Sequence, residues 1–389
     1  MIQLETAVVT TSRADYGLLY PLIKKLSLDN CFNLNIIVTG SHLSSVFGST
    51  MDEIKRDGFS SLLNVQTYGE RDDEVGVAGA VAKGIIGFSD LFSKRKFDLV
   101  IVLGDRYELW AAAVAAVIHK VPIVHIHGGE TTEGSTDEVV RHSVTKSASI
   151  HFPSIPQYAR RIVAMGENPQ RVFTVGALGI DNIKKSKIME IDELSEHLGV
   201  DFKKDVAIMT YHPVTMDNYI EAEVQVKEIL DALNHIGIYT VMTMPNADVG
   251  GNSIYKCMKD YEKRFSDRFK IVKNMGSTVY LNAMRYARIM IGNSSSGIIE
   301  SASFKLAVVN IGDRQAGRIK PENVIDCPCT KPAIIEAVRK ALSKEFAKYI
   351  ENITNPYGDG DTAEKIINIL KKIDFKDKEK LLKKKFYDI

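Results

Sequence analysis

The sequence contains few cysteines, almost no net charge and no hydrophobic run long enough to cross a membrane. Its 389 residues include four cysteines, 50 basic side chains and 49 acidic ones. So few cysteines exclude a disulfide framework. A net charge of +1 argues against a partner recognised by overall charge, such as nucleic acid or an anionic membrane. The apolar run at 110–118 ends at His119, far short of the roughly 20 residues of a membrane span.

The N-terminal segment and the cysteine spacing bear on location. The start, MIQLETAVVT, has neither basic residues nor an apolar run of signal-peptide length. Cys31 and Cys257 are isolated, and Cys327-Pro328-Cys329 lacks the two-residue gap of a zinc knuckle or a redox pair. We therefore expect an enzyme of a reducing compartment, the cytoplasm.

Short apolar runs alternate with helical stretches along the whole chain, which predicts βαβ units and parallel sheets. A first series of strands is predicted at residues 7–9, 34–38, 62–65, 98–103, 123–126 and 172–175. A second series is predicted at residues 206–209, 239–242, 270–272, 289–291 and 307–311. Two successive α/β sheets predict two domains of similar size with a cleft between them, divided near residues 176–190.

Polar side chains follow the predicted strands, at the end where open parallel sheets bind their ligands. The motifs at these strand ends are TSRADYG, GDRYE, HIHGGE, YHPVT, MPNAD, GNSSSGIIE and GDRQ. The strand bodies are mostly apolar by comparison. This distribution predicts an active site at the carboxyl edge of the sheets.

The motif GNSSSGIIE, residues 292–300, joins an apolar strand to a predicted helix. Its small residues allow backbone N–H groups to approach a phosphate, and Ser294 and Ser295 add hydroxyl donors. Glu300 is suited to accept the two hydroxyls of a ribose. The alternative is a serine N-cap without a ligand. The chain contains neither GxGxxG nor GxxxxGK[ST], so NAD and P-loop hypotheses lose their usual support.

Three arginines, Arg13, Arg106 and Arg314, each lie just past a predicted strand. Singly, each is best interpreted as a surface or capping residue. Together they form a plausible clamp for a diphosphate, because guanidinium forks match phosphate oxygens. His212 and Asn246 also follow strands, with a loop histidine and a turn residue as the alternatives.

Carboxylates and imidazoles cluster between the fourth strand and the helix after the fifth. Proton transfer at carbon requires such groups from adjacent strand ends. For Asp105 we favour a functional role, and for Glu138 the role of a helix N-terminal acid. A His-x-His zinc site is the further alternative, although it needs a third ligand and the spacing singles out none. The cluster comprises Asp105, His125, His127, Glu130, Glu133, Asp137, Glu138 and His142.

These motifs, in this order, resemble those of the hydrolysing nucleoside-diphosphate-sugar 2-epimerases of sialic-acid-type and legionaminic-acid-type sugar synthesis. The resemblance covers most of the chain. It implies a glycosyltransferase-B-like α/β fold with two Rossmann-like domains and an interdomain cleft. It divides the chain into a catalytic, sugar-binding domain at 1–180, a UDP-binding domain at 181–365 and a C-terminal helix at 366–389 that returns to the first domain.

The resemblance implies conversion of UDP-N-acetylglucosamine and water to N-acetylmannosamine and UDP. The wider family also acts on UDP-2,4-diacetamido-2,4,6-trideoxyglucose. No cofactor or metal is implied, and the expected assembly is a homodimer or homotetramer. The implied UDP ligands are Arg13, Arg106, His212, Asn246, Ser294, Ser295, Glu300 and Arg314. The implied catalytic set contains Asp105, Asp137 and Arg141.

One position departs from the family pattern. Members specific for N-acetylglucosamine have glutamate as the third residue of HIxGGE, where this chain has His127. We include His127 among the candidate catalytic residues, together with Glu130 as the nearest carboxylate that could compensate. Three alternative functions share these motifs: a non-hydrolysing 2-epimerase, a glycosyltransferase-B-type transferase and a non-catalytic nucleotide-sugar sensor.

Overall fold

The computed structural model describes residues 3–43, 51–67, 74–133, 136–213, 219–245, 251–273 and 275–388. The chain divides into two compact units. Unit 1 comprises Met1–Glu130, Asp137–Asn182 and Tyr357–Ile389, and unit 2 comprises Thr131–Thr136 and Ile183–Pro356.

The described elements alternate between strands and helices along the chain. The strands are β1 (Leu4–Thr10), β2 (Phe32–Val38), β3 (Leu62–Asn64), β4 (Leu99–Leu103), β5 (Ile123–Ile126), β6 (Ile150–Phe152), β7 (Val206–Thr210), β8 (Tyr239–Thr243), β9 (Phe269–Val272), β10 (Ile289–Gly292), β11 (Ala307–Ile311) and β12 (Val324–Cys327). The helices are α1 (Arg13–Leu28), α2 (Met51–Arg56), α3 (Glu74–Lys94), α4 (Tyr107–Ile118), α5 (Thr136–Ser147), α6 (Pro156–Ala164), α7 (Leu178–Lys185), α8 (Ile191–Leu198), α9 (Tyr219–Ile236), α10 (Gly251–Arg264), α11 (Gly276–Tyr286), α12 (Ser296–Ile299), α13 (Lys331–Leu342), α14 (Lys344–Ile350), α15 (Thr362–Leu370) and α16 (Lys378–Leu382).

Each unit contains one parallel six-stranded sheet. The strand orders are β3-β2-β1-β4-β5-β6 in unit 1 and β12-β11-β10-β7-β8-β9 in unit 2. Both sheets have the doubly wound arrangement of a Rossmann-like fold. The order reverses direction between β1 and β4 and between β7 and β10, so a ligand-binding crevice is expected at that point of each unit. The predicted pair of Rossmann-like α/β sheets is confirmed.

The core of unit 1 follows from its uninterrupted apolar strands. All five residues of β4, LVIVL, are buried, as expected of a parallel strand covered on both faces. On one side α3 packs closely against the alanine-rich α4, since a Cβ added at Gly84 would lie 2.8 Å from the Cβ of Ala111. Among the described residues, α3 alone is long and apolar enough to span a membrane, a weak indication because core helices of soluble proteins pass the same test.

Two of the described strands were not predicted from the sequence, and the prediction of one other strand is wrong. The segment 172–175 forms no strand. Its one sheet-like pairing is an isolated bridge between Val172 and His151. The sixth position in the sheet belongs to β6, a three-residue strand that pairs with β5. The other unpredicted strand, β12, lies at the edge of the unit 2 sheet and is only partly buried.

The C-terminal helices belong to unit 1. The Asp181 carboxylate accepts hydrogen bonds from the backbone N–H groups of Thr362 and Ala363, both 2.9 Å, and so holds the start of α15. Arg171 donates to the carbonyl oxygens of Lys380 and Leu381 at 2.6 and 2.7 Å. These contacts fix α16 to unit 1.

Candidate active site

The first strand of unit 1 ends in a turn that presents Arg13. Ser12 caps α1, and Asp15 completes a capping box. The buried Asp15 carboxylate also accepts hydrogen bonds from the Thr10 hydroxyl and the Thr11 backbone, both 2.8 Å. Asp15 therefore shapes the turn, while Arg13 remains half exposed and forms an ion pair of 3.2 Å with Glu53. An exposed pair of this kind is worth at most about 1 kcal/mol, so an anionic ligand can displace Glu53.

Arg106 follows the neighbouring strand, β4. Its Nε lies 3.2 Å from Oε2 of the buried Glu108, and its guanidinium lies 5.7 Å from the ring centroid of Tyr107. Glu108 in turn packs on Gly40, where an added Cβ would lie 2.7 Å from Glu108 Oε1. Arg13 and Arg106 thus stand at the two strands that flank the switch point of unit 1.

A buried arginine organises the acidic cluster. Arg141 is 1% exposed, and its Nη2 contacts the Asp105 carboxylate. Its Nη1 donates to Glu138 Oε2 and to the carbonyl oxygen of Glu130, both at 3.1 Å. The other Glu138 oxygen lies 3.0 Å from His142 Nε2. Asp105, Glu138 and His142 are each about a quarter exposed, so three ionisable groups around one buried cation are accessible to a substrate.

His127 and Glu130 form a second pair beside this cluster. His127 Nδ1 lies 3.3 Å from Glu130 Oε1, which also accepts a hydrogen bond of 3.0 Å from the Ser154 hydroxyl. His127 adopts φ +64, a left-handed conformation that costs a non-glycine residue about 1 kcal/mol or more. Such backbone strain concentrates at functional sites, and it supports a functional role for His127.

His125 has a structural role. Its Nε2 lies 2.8 Å from the Gly104 carbonyl oxygen and its Nδ1 lies 3.1 Å from the Thr145 hydroxyl. Burial lowers its pKa to about 3, so the ring is neutral at physiological pH. With both nitrogens engaged, His125 offers no lone pair to a His-x-His metal site. Within the described ranges, no group of three or more His, Cys, Asp or Glu side chains is arranged to hold a metal ion.

In unit 2, Asn293 connects the ends of three strands. It accepts a hydrogen bond of 2.7 Å from the His212 backbone N–H and returns one of 2.8 Å to the His212 carbonyl. Its own carbonyl oxygen accepts from Arg314 Nη1 at 3.1 Å and from Gln315 Nε2 at 2.8 Å. This arrangement brings His212 and Arg314 together beside the serine motif.

His212 is a neutral group in this site. Its burial, and secondarily the charge of Arg314, lower its pKa to about 3. It can therefore contribute a hydrogen bond to a ligand but no positive charge. Arg314 supplies the charge next to it.

The helix of the serine motif is shorter than predicted from the sequence. The predicted helix is a single turn, α12, followed by a 3-10 turn at Ser301–Phe304, so a helix dipole contributes little. Ser294, Ser295 and the buried Glu300 are all present at this strand end. Tyr280 of α11 joins them: burial raises its pKa to about 12, and it interacts with the hydroxyls of Ser296 and Ser294. Tyr280 is thus a protonated hydroxyl donor.

The candidate residues fall into two groups, each within its own unit. Asp137 lies in the first turn of α5, where helix N-terminal and catalytic roles are both compatible with its place. Asn246 lies outside the described residues. Unit 1 contains Arg13, Asp105, Arg106, His127, Glu130, Asp137 and Arg141, and unit 2 contains His212, Ser294, Ser295, Glu300 and Arg314.

Several residues of the candidate site were not predicted from the sequence, or were predicted to have a different role. Asn293 and Gln315 lie inside motifs that were already recognised, so their place at a strand end was a usable signal. Glu138 was interpreted as a helix N-terminal acid, although it shares a face of α5 with Arg141 and His142. Tyr280 had no signal, because its helix carries no polar motif.

Each of the two Rossmann-like sheets thus carries a candidate ligand site at its switch point, with ionisable side chains in unit 1 and an arginine, serines and a neutral histidine in unit 2. The chain belongs to the UDP-N-acetylglucosamine 2-epimerase family, which it matches over residues 24–371.

Relatives with similar sequences align with most of the chain. A hydrolysing UDP-N,N'-diacetylbacillosamine 2-epimerase of Legionella pneumophila is 37% identical, covering 94% of this chain and 95% of the relative. A hydrolysing GDP/UDP-N,N'-diacetylbacillosamine 2-epimerase of Campylobacter jejuni is 35% identical, covering 89% of each. The crystal structure of UDP-GlcNAc 2-epimerase from Neisseria meningitidis bound to UDP-GlcNAc shares the fold, with a TM-score of 0.80, 16% identity and coverage of 95% and 100%.

Proposed function

We propose that this enzyme is a hydrolysing 2-epimerase, which converts a UDP-linked 2-acetamido sugar and water to the free 2-epimeric sugar and UDP. The observation that carries the proposal is the group formed by Asp105, Arg141, Glu138 and His142 at the switch point of unit 1. Proton removal and return at carbon require such groups. The family and the names of the two relatives support the reaction type.

The chemistry begins with departure of UDP. The C2–H of the sugar is not adjacent to a carbonyl group, so it becomes acidic only as the anomeric carbon gains oxocarbenium character. A carboxylate then removes the C2 proton, which leaves a glycal. Water adds at C1, and a proton returns to C2 from the opposite face.

Unit 1 provides the proton-transfer groups in this proposal. Asp105 is the base for the C2 proton, oriented by the Arg141 guanidinium. His127, Glu130 and Asp137 are the candidates for the return of the proton and the activation of water. Because removal and return occur on opposite faces of the sugar, at least two of these groups must act.

Unit 2 binds the UDP in this proposal. Arg314 and the hydroxyls of Ser294 and Ser295 stabilise the charge of the departing diphosphate, the kind of preorganised electrostatics that usually contributes most to catalysis. Glu300 accepts the ribose hydroxyls and neutral His212 contributes a hydrogen bond. The family resemblance adds Asn246 as a further UDP ligand, together with Arg13 and Arg106, which belong to unit 1.

We further propose UDP-2,4-diacetamido-2,4,6-trideoxyglucose, which is UDP-N,N'-diacetylbacillosamine, as the preferred substrate over UDP-N-acetylglucosamine. Two observations support this choice. His127 occupies the position of glutamate in the N-acetylglucosamine enzymes, and the two relatives described above carry the diacetylbacillosamine name.

A comparison of the two substrates tests this preference. Wild-type enzyme should show the higher kcat/KM with the diacetamido-trideoxy substrate, and His127→Glu should shift the ratio of the two kcat/KM values toward UDP-N-acetylglucosamine. If the wild type already turns over UDP-N-acetylglucosamine far better than the analogue, His127 does not mark specificity.

Arg314→Ala and Ser294→Ala should each weaken UDP binding by about tenfold to a hundredfold, because one charge-assisted hydrogen bond is worth roughly 1.5–3 kcal/mol. Calorimetric titration with UDP measures the loss. Arg268→Ala is a matched control, since Arg268 donates to the Asn234 carbonyl oxygen at 2.8 Å elsewhere in unit 2. Unchanged UDP affinity in both site variants would refute the assignment of the UDP site.

Release of UDP should continue in excess EDTA. The motivation is that arginines and serine hydroxyls can stabilise the diphosphate charge, while both His125 nitrogens are engaged within the protein. The test is a turnover assay with and without the chelator. Activity that is lost in EDTA and restored by Mg²⁺ or Zn²⁺ would contradict this prediction.

The cytoplasmic location and the homodimeric or homotetrameric assembly also stay predictions.

A further inference from the structure

We propose that Arg318 is a positioning residue of this enzyme, which holds in place the backbone that carries Glu130. The inference rests on the proposed function and deepens it, because it adds a residue that acts through catalytic groups without contacting the substrate. Arg318 lies four residues after Arg314, and no motif pointed to it.

Arg318 is fixed to the chain segment 131–133. Its Nε donates to the Thr131 carbonyl oxygen at 3.0 Å, and its Nη2 donates to the Thr132 hydroxyl at 3.4 Å. Both threonines are buried, 8% and 4% exposed. A guanidinium that reaches two successive residues from one planar group restrains both the position and the direction of that backbone.

Gly317 makes this close approach possible. A Cβ added there would lie 2.4 Å from Glu133 Oε1 and 2.7 Å from the Thr131 hydroxyl oxygen, and Gly317 adopts φ +73. A side chain at this position would displace the Glu133 carboxylate and the Thr131 hydroxyl, and it would strain the left-handed backbone of Gly317. The loop that carries Arg318 therefore packs closely against the side chains of segment 131–133.

The same loop is attached to the proposed UDP site. Arg314 and Gln315 both donate to the Asn293 carbonyl oxygen, and Asn293 holds the backbone of His212. Residues 314–318 thus contact Asn293 of the serine motif at one end and segment 131–133 at the other.

Segment 131–133 is continuous with the catalytic groups. Thr131 follows Glu130, whose carbonyl oxygen accepts from Arg141 and whose carboxylate contacts His127. Loss of the Arg318 contacts would release one end of this backbone. Because a misplacement of about 1 Å costs up to roughly a hundredfold in rate, a large effect on turnover is expected without any loss of UDP binding.

The test separates turnover from UDP binding in Arg318→Ala, Arg318→Lys and Gly317→Ala. We expect Arg318→Ala and Gly317→Ala to lower kcat by roughly tenfold to a hundredfold, with the Kd of UDP within about twofold of the wild type. Arg318→Lys should recover part of kcat, since an ammonium can replace one of the two hydrogen bonds. Arg268→Ala, which removes a guanidinium–carbonyl hydrogen bond elsewhere in unit 2, should change neither quantity.

Three results would overturn the inference. They are a folded Arg318→Ala enzyme with wild-type kcat, a parallel loss of kcat and UDP affinity, and no difference between the lysine and alanine variants. If Arg318→Ala fails to fold, Arg318→Lys carries the test, because it keeps the charge and the long side chain. A wild-type enzyme that does not turn over the UDP-sugar would contradict the proposed function itself. An active wild type whose Arg318 and Gly317 variants keep the same kcat would contradict this inference alone.

Discussion

Asp105→Asn should leave UDP binding intact and lower turnover by roughly 10² to 10⁴-fold. The substitution preserves the size of the side chain but removes the carboxylate that would accept the C2 proton. Arg141 keeps its contacts with Glu138 and the Glu130 carbonyl oxygen, so the buried guanidinium retains partners. The site should therefore remain assembled while its base is lost.

Steady-state kinetics and UDP titration of the same preparation measure this separation. Asp29→Asn is a matched control, because Asp29 also forms an ion pair in unit 1, with Lys371 at 2.8 Å, away from the switch point. Wild-type turnover in Asp105→Asn would exclude Asp105 as the base. An equal loss in Asp29→Asn would show that the effect is not specific to the site.

Gly292→Ala should destabilise unit 2 by more than about 3 kcal/mol. Gly292 ends β10 with φ +132, and a Cβ built there would lie 1.9 Å from the Thr210 carbonyl oxygen of the neighbouring β7. Backbone cannot yield as a flexible side chain does, so the two central strands of the sheet would have to separate. The Asn293 and Ser294 positions, which follow directly, would be disturbed with them.

Gly79→Ala makes the same chemical change but should stabilise the protein. Gly79 lies within α3 with nothing within 4 Å of the added Cβ, so alanine should stabilise the helix by about 0.5–1 kcal/mol. Urea unfolding of both variants, compared by their midpoints, measures the contrast. A Gly292→Ala protein as stable as the wild type would contradict the close approach of β7 and β10.

The strands that could be predicted from the sequence are those with long apolar runs. β4 and β11 are buried along their whole length and are apolar apart from Asn310 of β11, a composition that is typical of a parallel strand covered on both faces. The three residues of β6 include a central histidine, which interrupts the apolar pattern although the strand is fully buried. β12 is a partly exposed edge strand and carries Asp326, so it lacked the same signal.

The candidate site was predictable where it depends on topology. Residues at the carboxyl ends of neighbouring parallel strands must lie near one another, and this placed Asp105 beside the residues that follow β5. Arg141 is the centre of the cluster because its side chain is buried and because α5 contacts the end of β4. Neither feature can be read from the spacing of the motifs in the sequence. Asn293 and Tyr280 depend in the same way on contacts between distant segments.

The most direct test of the proposed function is NMR of the products formed from UDP-2,4-diacetamido-2,4,6-trideoxyglucose in D₂O. We expect equal amounts of UDP and of a free sugar that is inverted at C2 and carries deuterium there. A free sugar with unchanged configuration and no deuterium at C2 would contradict elimination and favour simple hydrolysis by a transferase-like enzyme. A product that remains attached to UDP would instead identify a non-hydrolysing epimerase, and no product would favour a sensor.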